Sequence, residues 1–243
     1  MVRNGVEGNY GNFGNYNSFH SFASIMEEQG IKEKILKGTE ELFMKYGARS
    51  VSMDDIARHL AVSKKTLYQH FADKDDIVLM VCLVYLLRGK KRYEEIAESS
   101  VNAIDELTKI SVCLKRDMEN LNPSLLFDLQ KYHPKAWEEW QRHKTRFIKE
   151  SVARNLEQGI KEGYFRPEIN TEIIATLRIT NVETAFDDRI FPNDKFTLAE
   201  VQSQLFDHFV YGLCTEKGRK LYEKHKENNQ PTQLINHKHE TIL

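Results

Sequence analysis

Residues 31–74 read IKEKILKGTEELFMKYGARSVSMDDIARHLAVSKKTLYQHFADK, three short helical periods with a marked stop after each. In the first period Ile31, Ile35, Leu42 and Phe43 recur at helical spacing and the run stops at Gly47, the residue type favoured just past a helix C-terminus. Ser52 then precedes Met53-Asp54-Asp55, an N-cap followed by acids where the helix dipole favours them. Met53, Ile56, Ala57 and Leu60 make one apolar face of that second helix. Ala61-Val62-Ser63 is a tight turn in which Ser63 is the next N-cap. The third helix, Lys64 to Phe71, buries Leu67 and Phe71 and exposes Lys64, Lys65, Thr66, Tyr68 and His70. Asp73 caps a long fourth helix.

Two short helices joined by a three-residue turn, the second exposing basic and polar groups at its start, form a helix-turn-helix. Between Lys45 and Lys74 lie six basic and three acidic residues, on a chain that is otherwise balanced. The third helix contains no acid. Such a helix offers donors near its N-terminal end, where side chains and backbone N–H groups reach base edges and phosphates. The expected partner is double-stranded DNA, with Lys64, Lys65 and His70 on the contact face and Ser52 a cap first and a phosphate ligand second.

At these residues the chain resembles the TetR family of bacterial transcriptional regulators. The matching positions are Leu42-Phe43, Gly47, Val51-Ser52, Ile56-Ala57, Val62-Ser63, Thr66-Leu67-Tyr68, His70-Phe71 and Lys74, about 45 residues in which caps, core positions and spacing agree. The resemblance implies an all-α fold, with a three-helix DNA-binding head followed by a larger helical ligand-binding and dimerisation body. It also implies phosphate contacts from Thr66, Tyr68 and Lys74. Two positions depart from the family: Ala61 and Lys65 stand where glycine is frequent. Ala61 costs about 1–2 kcal/mol if the turn needs a left-handed residue. Lys65 adds a cation to the DNA face, so an operator sequence does not transfer from relatives.

Outside that stretch the organisation is plainer. Residues 1–25 carry the tandem Gly8-Asn9-Tyr10, Gly11-Asn12-Phe13, Gly14-Asn15-Tyr16 and read as a disordered leader, with Met26 a candidate natural start. Residues 26–74 form the head, 75–216 the body, and 217–243 a polar, His-rich tail expected to fray. Prolines are absent from the first 122 positions, after which Pro123, Pro134, Pro167 and Pro192 punctuate helices. The 243 residues carry 35 Lys+Arg against 36 Asp+Glu, which argues against a wholly basic nucleic-acid coat but allows a local patch. With 40% hydrophobic residues, a mean hydropathy of −0.56 and no apolar run of about 20 residues, a membrane protein is excluded. Cys82, Cys113 and Cys214 are odd in number and far apart, fitting neither disulfides nor a thiolate metal site and pointing to a reducing, cytoplasmic setting. His237-x-His239 reads as tail rather than metal site, and no cofactor is expected.

In the body, aromatic residues gather around the Pro134 break. Phe127, Tyr132, His133, Trp137, Trp140 and Phe147, with Arg178, are the candidate lining of a pocket for an unidentified small-molecule effector, set against an ordinary aromatic core. Two later stripes, Ile174, Leu177 and Val182, then Val201, Leu205, Phe209 and Gly212, read as a homodimer interface built from two helices per subunit. An enzyme is the first rival reading. The chain lacks phosphate-binding, dinucleotide, nucleophile-elbow and metalloprotease motifs, and none of its nine histidines follows a Glu by three positions. The second rival, a helical protein-interaction module, would not need an acid-free exposed third helix. The reading is a ligand-responsive regulator, most simply a repressor on a palindromic operator.

Overall fold

The computed structural model describes residues 30–228. The Gly/Asn-rich leader, Met26, and His237 and His239 lie outside the described residues. The order is α1 (Gly30–Tyr46), α2 (Met53–Leu60), α3 (Lys64–His70), α4 (Lys74–Glu98), α5 (Ala103–Glu119), α6 (Leu125–Tyr132) and α7 (Pro134–His143). A π-helical turn (Lys144–Ile148) leads into α8 (Lys149–Lys161), followed by α9 (Thr171–Thr184), α10 (Leu198–Leu213) and α11 (Glu216–Asn228). The fold is all-α. The sole extended pairing among the described residues is an isolated bridge of Phe165 with Cys214.

Local chemistry sets the ends of these helices. Ser52, Ser63, Asp73, Asn102, Asn170 and Thr197 each accept a hydrogen bond from a backbone N–H in the first turn that follows. Ser52 and Asp55 complete a reciprocal capping box. Pro134 occupies the first turn of α7, where a missing N–H costs nothing. Gly47 (φ 80°) closes α1, and Ala61 (φ 53°) closes α2 in the left-handed region. The Ala61 N–H donates to the Arg58 carbonyl and the Val62 N–H to the Ala57 carbonyl, a Schellman closure built on a residue with a Cβ.

One apolar core begins in the head and does not stop at residue 74. Ile35, Ile56, Leu67 and Phe71 pack in one cluster with Ile77 and Val81 of α4, Leu129 of α6 and Ala136 of α7. A second core joins α5, α8, α10 and α11 through Ile104, Leu156, Phe206, Val210 and Tyr222. The long α4 therefore belongs to the head at one end and to the body along the rest of its length.

Two expectations need correction. Residues 217–228, read from sequence as the start of a fraying tail, instead belong to the helix α11. Gly218 lies so close to the backbone of Tyr164 that a Cβ there would sit 2.1 Å from its carbonyl oxygen. The Tyr222 side chain is wholly buried, and its hydroxyl donates to Asp207 Oδ1 at 2.8 Å. Gly218 and Tyr222 stand one turn apart on one face, and with Leu221 packed beside them they dock a helix that is otherwise mostly polar.

The second correction concerns the stripes assigned to a dimer interface. Val201 and Phe209 are buried in the chain's own core, and Ile174, Val182 and Leu205 are half-buried. Of that set, Leu177 and Gly212 alone are exposed. An apolar stripe is claimed first by the subunit's own core; the outward face of α9 is the neighbouring row, Ile173, Thr176, Leu177 and Thr180.

Candidate nucleic-acid interface and interior cavity

The α3 helix is held from beneath by Leu67 and Phe71, both buried. At its start Ser63 Oγ accepts from the Thr66 N–H at 3.0 Å and lies 2.8 Å from Thr66 Oγ1. This geometry turns Lys65, Tyr68 and Gln69 onto one exposed face at i, i+3 and i+4. Lys65 has no ion-pair partner among the described residues. Gln69 was not singled out from sequence; its amide is a donor–acceptor pair suited to a base edge, and its position one turn after Lys65 was the available signal.

Lys64, Ser52 and Lys74, also expected to contact DNA, are already engaged. Lys64 Nζ lies 3.0 Å from an Asp54 carboxylate oxygen and so ties α3 to α2. The hydrogen bond and charge of Asp54 raise the Lys64 pKa. Ser52 spends its hydroxyl on the capping box: Asp55 Oδ2 accepts from Ser52 N at 3.0 Å and from Ser52 Oγ at 2.6 Å. Those bonds hold the Asp55 carboxyl below its ordinary range. Lys74 Nζ donates to the Arg49 carbonyl at 3.0 Å, and burial lowers its pKa against the opposing pull of Asp128 and Asp75. His70 is half-buried in the last turn of α3.

Behind this surface the loop between α1 and α2 is fastened to the body. Arg49 N–H donates to Asp128 Oδ2 at 2.9 Å, and Asn122 Nδ2 donates to the Lys45 carbonyl at 3.1 Å. A Cβ on Gly47 would lie 2.8 Å from Ser124 Oγ and 2.9 Å from Asp128 Oδ2. The Arg49 guanidinium sits 4.8 Å from the centre of the Tyr132 ring, and His133 Nδ1 pairs with Asp75 Oδ1 at 2.7 Å.

A cavity of about 680 Å³ opens inside the body, walled by α1, α4, α5, α6, α7, the π-helical turn, α8, α9 and α10. Trp140, Phe147 and Arg178 line it as expected positions go, whereas Phe127, Tyr132, His133 and Trp137 do not. Phe127 is 52% exposed, Tyr132 and His133 serve the head–body seam, and Trp137 packs on the core shared with the head. Proximity in sequence to Pro134 placed these four together, but successive residues of a helix point to different sides.

The cavity wall is apolar with charged groups set into it. Arg88 pairs with Glu40 and Arg92 with Asp117, while Arg154 meets Glu106 through both guanidinium nitrogens at 2.5 and 3.2 Å. Burial, aided by the charge of Lys90, lowers the His143 pKa to about 4, so this ring is neutral at pH 7. Burial also pushes the Tyr93 hydroxyl up to about 12. Trp140 Nε1 and Arg178 Nη1 are buried with no hydrogen-bond partner among the described residues. Among the described residues no group of His, Cys, Asp and Glu could hold a metal ion, and no helix is long and apolar enough to cross a membrane.

Residues 35–81 match the model for bacterial regulatory proteins of the tetR family. The chain is 28% identical over 188 residues to the HTH-type transcriptional regulator YvaF of Bacillus subtilis, covering 76% of this chain and 96% of that one. It is 24% identical over 148 residues to the HTH-type transcriptional repressor KstR2 of Mycobacterium tuberculosis, covering 58% of this chain and 72% of the relative. The solved structure of that ketosteroid transcriptional regulator superposes with a TM-score of 0.55 at 21% identity, over 77% of this chain and 97% of the other. A transcriptional regulator from Saccharomonospora viridis, solved in complex with choline, superposes with a TM-score of 0.64 at 19% identity, over 76% and 98% of the two chains.

Proposed function

Because the chain belongs to the TetR family of DNA-binding transcriptional regulators, we propose that it acts as a homodimeric repressor released from a palindromic operator by a small molecule held in the interior cavity. The observation that carries this reading is the course of α4. Its first residue, Lys74, holds the head through the Arg49 carbonyl, while Val78, Val81, Cys82 and Tyr85 further along line the cavity. A molecule that moves α4 therefore moves the head. It releases DNA only by binding the DNA-incompetent arrangement more tightly, and a hundredfold loss of operator affinity needs about 2.7 kcal/mol of such preference. Repression is favoured by the similarity to KstR2, itself a repressor. The choline complex illustrates that a protein of this fold binds a small charged molecule.

On DNA, Lys65 and Gln69 are assigned to base edges and Tyr68 and Thr66 to phosphates. Lys64, Ser52 and Lys74 chiefly brace the head. A two-fold dimer presents two α3 helices, so half-site centres lie about 34–36 Å apart or somewhat further. The test is a salt titration of wild type, Lys65→Ala and Tyr68→Phe on operator and random duplexes. Loss of a base contact costs about 1–3 kcal/mol on the operator alone. Loss of a phosphate contact made by a cation weakens both duplexes and flattens the log–log salt slope by about 0.9. Lys65→Ala binding both duplexes as tightly as wild type would remove α3 from the interface.

A further inference from the structure

Resting on the reading that the cavity is the effector site, the charge inside it identifies the class of effector. The other arginine that is not exposed in the wall, the half-buried Arg92, has Asp117 as its carboxylate partner, and the exposed Arg88 and Arg154 have Glu40 and Glu106. Arg178 is 5% exposed and has none among the described residues. Its Nη1 makes no hydrogen bond, and its guanidinium rests on Phe206 and Phe209, 4.9 and 5.7 Å from the ring centres. Ring faces stabilise one side of the cation but leave its N–H edge unanswered. Burial lowers the Arg178 pKa to about 10, which still leaves the group charged at pH 7. A charged guanidinium out of water without a counter-ion costs several kcal/mol. That cost is met when a ligand brings the anion.

The rest of the wall settles what the anion is attached to. Ile110, Leu114, Met118, Val182 and Phe186 surround the space with hydrocarbon. One buried cation without a carboxylate partner among the described residues matches one negative charge, and the planar guanidinium fork matches a carboxylate in two parallel hydrogen bonds. We propose that the effector is an apolar monocarboxylate whose carboxylate pairs with Arg178 and whose hydrocarbon body fills the cavity between α5 and α9. A cavity of about 680 Å³ admits either a long acyl chain or a fused-ring body.

The experiment is a calorimetric titration of the full chain with hexadecanoate, decanoate and cholate, each beside a neutral alcohol of the same skeleton, with decylamine as the cation. At least one carboxylate is expected to bind about tenfold or more tightly than its alcohol, in keeping with a charge-assisted pair, while decylamine does not bind. In Arg178→Met the ratio should fall towards one with the alcohol's affinity retained, and Arg178→Lys should keep part of the preference. Equal binding of carboxylate and alcohol to wild type overturns the inference. So does a ratio that survives in Arg178→Met, or a complete failure of the carboxylates to bind. Duplex binding by the ligand-free proteins is measured in parallel. Intact duplex binding without carboxylate preference defeats this inference alone; carboxylate preference without duplex binding defeats the regulator reading alone.

Discussion

Ala61 holds a conformation that its own Cβ resists. The α2–α3 turn needs a left-handed residue to let Ala61 and Val62 N–H groups close the helix, and an L-residue there costs about 1–2 kcal/mol. Glycine relieves that strain but adds about 0.5–1 kcal/mol of unfolded-state freedom. Since Ala61 is exposed and buries nothing, Ala61→Gly should stabilise the chain by about 0.5–1 kcal/mol and raise Tm by about 1–4 °C. A thermal melt checks this, and a lower Tm would mean that the Ala61 methyl makes a contact that matters. The caps around this turn were legible because a cap and its target are three residues apart: Ser52 with Asp55, Ser63 with Thr66. The engagement of Lys64 was not, because Asp54 comes from the preceding helix and no local pattern announces the pair. His133 failed for the same reason at greater range, its partner Asp75 being 58 residues away.

Among the helices, α9 carries the clearest unfinished surface. Ile173 is 63% exposed and Leu177 49%, one turn apart on a row continued by Thr176 and Thr180, with the exposed Glu172 as the charge at its start. If two copies meet through this row, Ile173→Glu/Leu177→Glu should give a soluble, folded monomer, because neither side chain supports the subunit's own core. Light scattering and a melting curve read both properties, and a double variant that remains a dimer would move the interface elsewhere. Leu205, by contrast, is half-buried against Ala185 and Val201, so a glutamate there would damage the subunit before reporting on its association. The helical periods were readable because 3.6-residue spacing is a property of one segment. Which of two apolar rows turns inward depends on what packs opposite, and that is a property of the assembled body. The same limit hid α11: its inward face is Gly218, Leu221 and Tyr222, and only the body packed opposite shows that so few apolar groups dock it.

At the scale of the molecule, head and body share a core, and the cavity shares a helix with both. The helix-turn-helix could be read from sequence since its caps, turn and core positions lie within about 45 consecutive residues. The cavity could not, because its walls come from α1 through α10 and their convergence is a product of packing. The seam between the two regions has a consequence for kinetics. The Arg49 amide sits in a loop, and its acceptor is the Asp128 carboxylate, a side chain of α6 that is itself buried. Its exchange with solvent deuterium therefore counts the moments when loop and α6 part, whatever the secondary structure nearby is doing. Saturation with an effector that swings the head should speed exchange at Arg49 by about tenfold for each 1.4 kcal/mol by which it favours the parted arrangement. Amides inside α5 should keep their protection. Residue-resolved hydrogen exchange by NMR makes the comparison, and an Arg49 rate indifferent to effector would mean that the seam stays shut throughout the switch. One backbone proton thus serves as an isotopic clock for communication between cavity and DNA, readable with no operator in the tube.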